Sequence, residues 1–201
     1  SYLQIDSDII FREKIDFSKL PLEGKMCWAS DCSGYIDYNY LITRVNGDQV
    51  IKEFSRILNV SEALIKRTPG GGAQWLMSEP RAALWWHIWQ DSQLLFDFLN
   101  TTDSDVQRWT AEMWAQLYNF EKFGWKVRLS PELDFCRPTD SVKDYEKVKI
   151  LHNAGVTAEL ASQLFFKGIY TNRTPFLDNL EWVDDEKASI KYVEAIKKVV
   201  Q

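Results

Sequence analysis

A mixed α/β layer structure is the fold class this sequence predicts, and three observations carry it. Short β-compatible runs open the chain and recur near residues 25, 125 and 149; stretches with apolar residues at helical spacing separate them. The third observation is the balance of 45% hydrophobic against 26% charged residues, which is that of a globular chain with a substantial core. At 201 residues the expectation is a single domain spanning 1–201.

The elements follow in order. Tyr2-Leu3-Gln4-Ile5 reads as a strand that breaks at Asp6-Ser7-Asp8 and resumes as Ile9-Ile10-Phe11, a strand ending in an acidic turn. A buried strand at the very start lacks the neighbours that earlier residues normally supply, so upstream sequence is expected to be missing. From Lys25 to Ile42, Trp28, Tyr35, Tyr38 and Tyr40 around Gly34 suggest strands and a loop. Asp48 is placed to cap a helix bearing Val50, Phe54, Ile57 and Leu58, and Ser61 a shorter one that Pro69 stops. Gly70-Gly71-Gly72 then reads as a loop.

A long helix is expected from near Ser78, with Pro80 in its first turn, to near Asn100; Leu84, Trp85, Ile88, Leu95 and Leu99 form its apolar stripe. Asp103 or Ser104 opens the next, with Val106, Trp109, Met113, Leu117 and Phe120 inward and Gly124 past its end. Trp125 to Leu129 reads as a strand, Lys149 to His152 as a short strand or turn, and a last helix runs from about Asp185 to Val200.

Composition removes several classes of function. A formal charge of -5 argues against a surface built throughout to neutralise phosphates. No apolar run approaches the roughly 18 residues that span a bilayer, and Ser1-Tyr2-Leu3-Gln4 is no targeting segment. Cys27, Cys32 and Cys136 lack zinc-ligand spacing and suit reduced thiols, so a cytoplasmic location is expected. Most of the nine Trp are expected in the core.

Chemistry begins with Asp6 and Asp8, whose carboxylates at alternate positions after an apolar run can reach one divalent cation. The run Leu3-Gln4-Ile5-Asp6-Ser7-Asp8-Ile9-Ile10-Phe11 resembles the strand and DXD turn of GT-A glycosyltransferases. In that family the motif holds Mn²⁺ or Mg²⁺ on the diphosphate of a sugar nucleotide. Leu151-His152-Asn153-Ala154-Gly155, followed by Phe166-Lys167-Gly168, resembles the family's late His motif. The resemblance implies His152 as a third metal ligand and Lys167 as a partner of the leaving diphosphate, although the usual Lys-Pro after the His is absent.

Pro69-Gly70-Gly71-Gly72-Ala73-Gln74-Trp75 resembles the glycine-containing segment that borders donor sugar and acceptor. Gly71 and Gly72 would permit close backbone approach, Gln74 would bond sugar hydroxyls and Trp75 would cover a sugar face. Glu112 lies among Trp109, Met113 and Trp114, whose bulk is expected to desolvate it and raise its pKa; the resemblance implies that it is the base for the acceptor hydroxyl. Asp31 and Asp37 are lesser candidates for sugar contacts, and His87 is expected to be structural.

Taken together, the resemblance implies a GT-A-like mixed sheet with flanking helices that lacks the N-terminal Rossmann-like nucleotide-binding half, which a second chain could supply. The expected activity is metal-dependent transfer from a UDP-sugar to an acceptor hydroxyl on a glycan or a modified DNA base. The alternative is a non-catalytic carbohydrate-binding or assembly module that presents Trp75, Trp85, Trp86 and Trp89.

Overall fold

Among residues 1–199, which the computed structural model describes, seven strands and seven α-helices alternate. The strands are β1 (Tyr2–Gln4), β2 (Ile9–Phe11), β3 (Met26–Asp31), β4 (Gly71–Met77), β5 (Lys126–Leu129), β6 (Phe135–Cys136) and β7 (Ile150–His152). The helices are α1 (Tyr38–Ile42), α2 (Gly47–Leu58), α3 (Glu62–Arg67), α4 (Ala82–Thr101), α5 (Ala111–Lys122), α6 (Val142–Tyr145) and α7 (Ser189–Val199). The protein is thus α/β with mixed sheets and flanking helices. The described residues divide into two compact units, Ser1–Ile5 with Phe17–Leu133, and Asp6–Asp16 with 134–199. No helix among the described residues is long and apolar enough to cross a membrane.

The first unit is built on a sheet of order β1-β4-β3-β5, with β4 antiparallel to both its neighbours and β3 parallel to β5. Central β4 is buried along nearly its whole length, which explains why its sequence does not alternate polar with apolar. Trp75 of β4 packs on Phe120 of α5 at 5.0 Å between ring centroids. Helix α4 buries Leu84, Ile88, Asp91, Leu95 and Leu99, the expected stripe with one carboxylate in it. Asn119 of α5 donates to Asp91 at 2.7 Å, which compensates the loss of water around that acid.

The second unit holds a sheet of order β2-β7-β6, with β2 antiparallel and β6 parallel to β7. Phe165, Leu180, Val183, Val193 and Ile196 form one core cluster beneath α7, and Cys136, Leu151 and Ala188 form another. Helix α6 starts with a reciprocal cap in which the Ser141 and Asp144 side chains each accept from the other's backbone.

Several boundaries differ from expectation, each for a local reason. The opening run is not one strand with a turn: β1 and β2 belong to different sheets and Asp6–Asp8 lies between them. The glycine loop is the start of strand β4. Helix α4 begins at Ala82, after Glu79 (φ 44) and Pro80 break the helical path. Helix α5 begins at Ala111, preceded by a 3-10 turn over Arg108–Thr110 that leaves Trp109 61% exposed, whereas it was expected inward. Asp48 lies in the first turn of α2, where Asn46 in the left-handed region is the cap residue. Ser61 does cap α3, accepting from Leu64 N at 3.1 Å. The last helix starts at Ser189, and Val200 lies outside the described residues.

Candidate metal centre

Strands β2 and β7 pair with Ile9 opposite His152, and Asn153 N donates to the Asp8 carbonyl at 2.9 Å to extend the ladder. That register sets the Asp6–Asp8 turn beside a histidine from the far end of the chain. His152 Nε2 lies 3.0 Å from Asp6 Oδ2 and 3.3 Å from Asp8 Oδ1. Lys167 Nζ makes an ion pair with Asp8 Oδ2. Phe135 of β6 meets the His152 ring edge to face at 5.2 Å and helps fix its plane. The side chains of His152 and Asp8 are 8% and 12% exposed, while Asp6 is open to solvent.

Electrostatics tie the four residues together. Burial alone would lower the His152 pKa, but the hydrogen bonds and charges of Asp6 and Asp8 outweigh it and hold the imidazole up at about 9. Burial would raise Asp8, but His152 and Lys167 outweigh it and hold the carboxyl down at about 2. At neutral pH His152 is therefore an imidazolium facing the Asp8 carboxylate.

Two carboxylate oxygens and an imidazole nitrogen, with ligand atoms within 4.8 Å of one another, make a donor set that fits a hard or borderline divalent cation. Bonds of about 2.1 Å at right angles put neighbouring donors about 3 Å apart, close to the separations here. A bound cation would take over the role of the imidazolium proton and compete with Lys167 for Asp8. The nitrogen ligand favours Mn²⁺ over Mg²⁺.

A pH prediction follows from the raised histidine. Its stabilising contribution is complete below the unfolded value near 6.5 and is lost as pH rises through about 9. Denaturant unfolding in chelator should show the chain losing stability relative to His152→Gln between those limits. A constant difference between the two would contradict the ion pairing.

The other residues singled out in the sequence lie in the first unit. Gln74 is 0% and Trp75 2% exposed. Gln74 bonds Ser30 Oγ in the interior and Trp75 packs on Phe120, so neither side chain is available to a sugar. Both faces of central β4 are covered, which the sequence alone did not reveal. Gly71 and Gly72 are buried as well, and it is the chain itself that approaches them: a Cβ on Gly71 would lie 2.9 Å from Ala29 Cβ, and one on Gly72 2.4 Å from Met113 Cε. The glycine segment thus meets the helix that carries Glu112, through Met113. Glu112 itself is exposed, because Trp114 turns inward in its place; the expected desolvation is absent. Asp37 caps α1, accepting from Tyr40 N at 2.6 Å, and Asp31 accepts from Ser33 N. His87 stacks at a tilt on Phe123, a structural contact as expected. All three cysteines are free and buried.

Two contributors to the cluster were not legible beforehand. Phe135 lay in no recognised motif; it stands on the two-residue strand β6, opposite Ile150 of β7. Lys167 had been assigned to a diphosphate, with no signal that it would pair with Asp8. No family model matches this sequence, and neither does any curated protein or solved structure.

Proposed function

We propose that this chain is a metal-dependent glycosyltransferase that moves a sugar from a nucleotide-sugar donor, of the UDP-sugar class, to an acceptor hydroxyl. The observation that carries the reading is the meeting of Asp6, Asp8 and His152 within 4.8 Å, three residues from two motifs far apart in sequence. A Mn²⁺ or Mg²⁺ ion held by them supplies Lewis-acid stabilisation of the charge that develops on a departing diphosphate.

The chain's own groups have the remaining roles in this reading. Asp8 holds its negative charge across the neutral range, as a metal ligand must, and Phe135 keeps the His152 ring in one orientation. Lys167, whose side chain is 56% exposed, has room to turn from Asp8 to a phosphate oxygen and would do so if a cation occupied that carboxylate. The acceptor oxygen attacks the anomeric carbon as the bond to the diphosphate oxygen breaks, and the hydroxyl proton passes to a general base.

A second reading, a carbohydrate-binding or assembly module, is favoured by one observation. Trp86 and Trp89 on α4 are 57% and 60% exposed with ring centroids 5.0 Å apart, an aromatic surface suited to a sugar face or a partner. Trp75 has no part in it.

Thermal unfolding with Mn²⁺ and a panel of sugar nucleotides separates the two, since a ligand of the native state raises the transition temperature. A joint rise with metal and a UDP-sugar, absent in Asp6→Asn and His152→Ala, is the expected result. Sugar-dependent stabilisation that chelator leaves unchanged would favour the module instead.

A further inference from the structure

The ends of three strands converge at the edge of the first unit opposite its glycine segment. Cys27 pairs with Met77 and Met26 with Lys126, which sets Lys25, Ser78 and Trp125 side by side beyond the ladder. They line a cavity of about 260 Å³ together with Glu79, Arg81 and Phe123. That volume lies just under the roughly 300 Å³ at which sites for drug-sized ligands begin, so it suits a small molecule and not a whole sugar nucleotide.

Charge and backbone narrow the occupant. The Arg81 carbonyl accepts from Leu84 N at 2.9 Å, and its guanidinium has no hydrogen bond or ion pair among the described residues. Lys25 Nζ lies 5.1 Å over the Trp125 ring and 3.5 Å from the Phe123 carbonyl, without a carboxylate partner. Two cations face a single acid, Glu79. The Trp125 ring, 6% exposed, forms an apolar wall with Phe123. Among the described residues, Lys25 (φ 58) and Glu79 (φ 44) are two of the five non-glycine residues with positive φ, and both line this cavity. Glu79 stands directly before Pro80. Asn46 and Asn59 take a positive φ as the caps of α2, whereas Lys25 and Glu79 cap no helix, and strained backbone away from caps clusters at ligand sites.

We propose that this cavity binds a small oxyanion-bearing ligand of the phosphomonoester type, with Arg81 and Lys25 as its charge partners and Trp125 and Phe123 as its apolar wall. The guanidinium presents a planar fork that matches two oxygens of such a group, and the ammonium adds a point charge.

The test is a titration of the ¹⁵N-labelled full chain with inorganic phosphate, against chloride at the same ionic strength, following the Trp125 indole N–H and Arg81 Nε resonances. Saturable shifts with phosphate alone are expected, weakened roughly tenfold in Arg81→Gln and in Lys25→Gln. Both side chains are exposed, so both variants should fold. Shifts that do not saturate, that chloride reproduces, or that persist in both variants would overturn the proposal. Neither Mn²⁺ nor a sugar nucleotide enters the experiment, so its outcome is independent of the glycosyl transfer reading.

Discussion

Gly70→Ala is expected to destabilise the first unit by about 3 kcal/mol or more, at or beyond the upper end of ordinary overpacking. A Cβ there would lie 2.0 Å from the Ile36 carbonyl oxygen and 2.8 Å from Ser33 Cα, so backbone must move to admit it. Gly72→Ala makes the informative contrast. Its nearest obstacle is Met113 Cε at 2.4 Å, the end of a flexible side chain that can swing away, and the cost should stay near 1 kcal/mol. Chemical denaturation of the two variants checks this. Equal costs would mean that the 33–37 loop yields more readily than its contacts indicate.

Asp8→Ala should have the larger effect on the metal centre. The change leaves the buried His152 imidazolium with Asp6 alone and removes the ion-pair partner of Lys167. Taking one partner from a buried charge pair costs about 3–5 kcal/mol, and the surviving Asp6 contact places the expected loss near the lower end. Metal affinity should fall by more than about a hundredfold, beyond what loss of an outer-sphere contact costs. Asp6→Ala removes a carboxylate that is 58% exposed, so it should weaken metal binding while costing within about 1 kcal/mol of stability. Denaturation in chelator together with a Mn²⁺ titration separates the two effects. If both variants lose the same stability, Asp8 is not the buried member of the pair.

What was legible in the sequence follows from how local each signal is. The Ser61 cap and the α4 stripe depend on neighbours within one or two turns, and both are where they were expected. The glycine segment was read as a loop because three glycines look like freedom. Their actual reasons are tertiary, contacts with Ile36, Ala29 and Met113 that no window around residue 71 contains. The opening run was read as one strand because sheet membership is set by distant partners, Trp75 to Met77 for β1 and Ile150 to His152 for β2. Glu112 was expected to be buried by its sequence neighbours, but adjacent helical residues point about 100° apart, so an inward Trp114 is compatible with an exposed Glu112. Alternate spacing put Asp6 with Asp8, but His152 joined them from motif resemblance alone. Nothing in composition or periodicity paired it with them.

The most direct measurement is pulsed electron paramagnetic resonance of one equivalent of Mn²⁺ bound to the full chain. The metal-centre reading requires nitrogen modulation from a coordinated imidazole that disappears in His152→Ala and binding that weakens sharply in Asp8→Ala. Mn²⁺ that stays fully hydrated, or nitrogen modulation that survives the loss of His152, would contradict it.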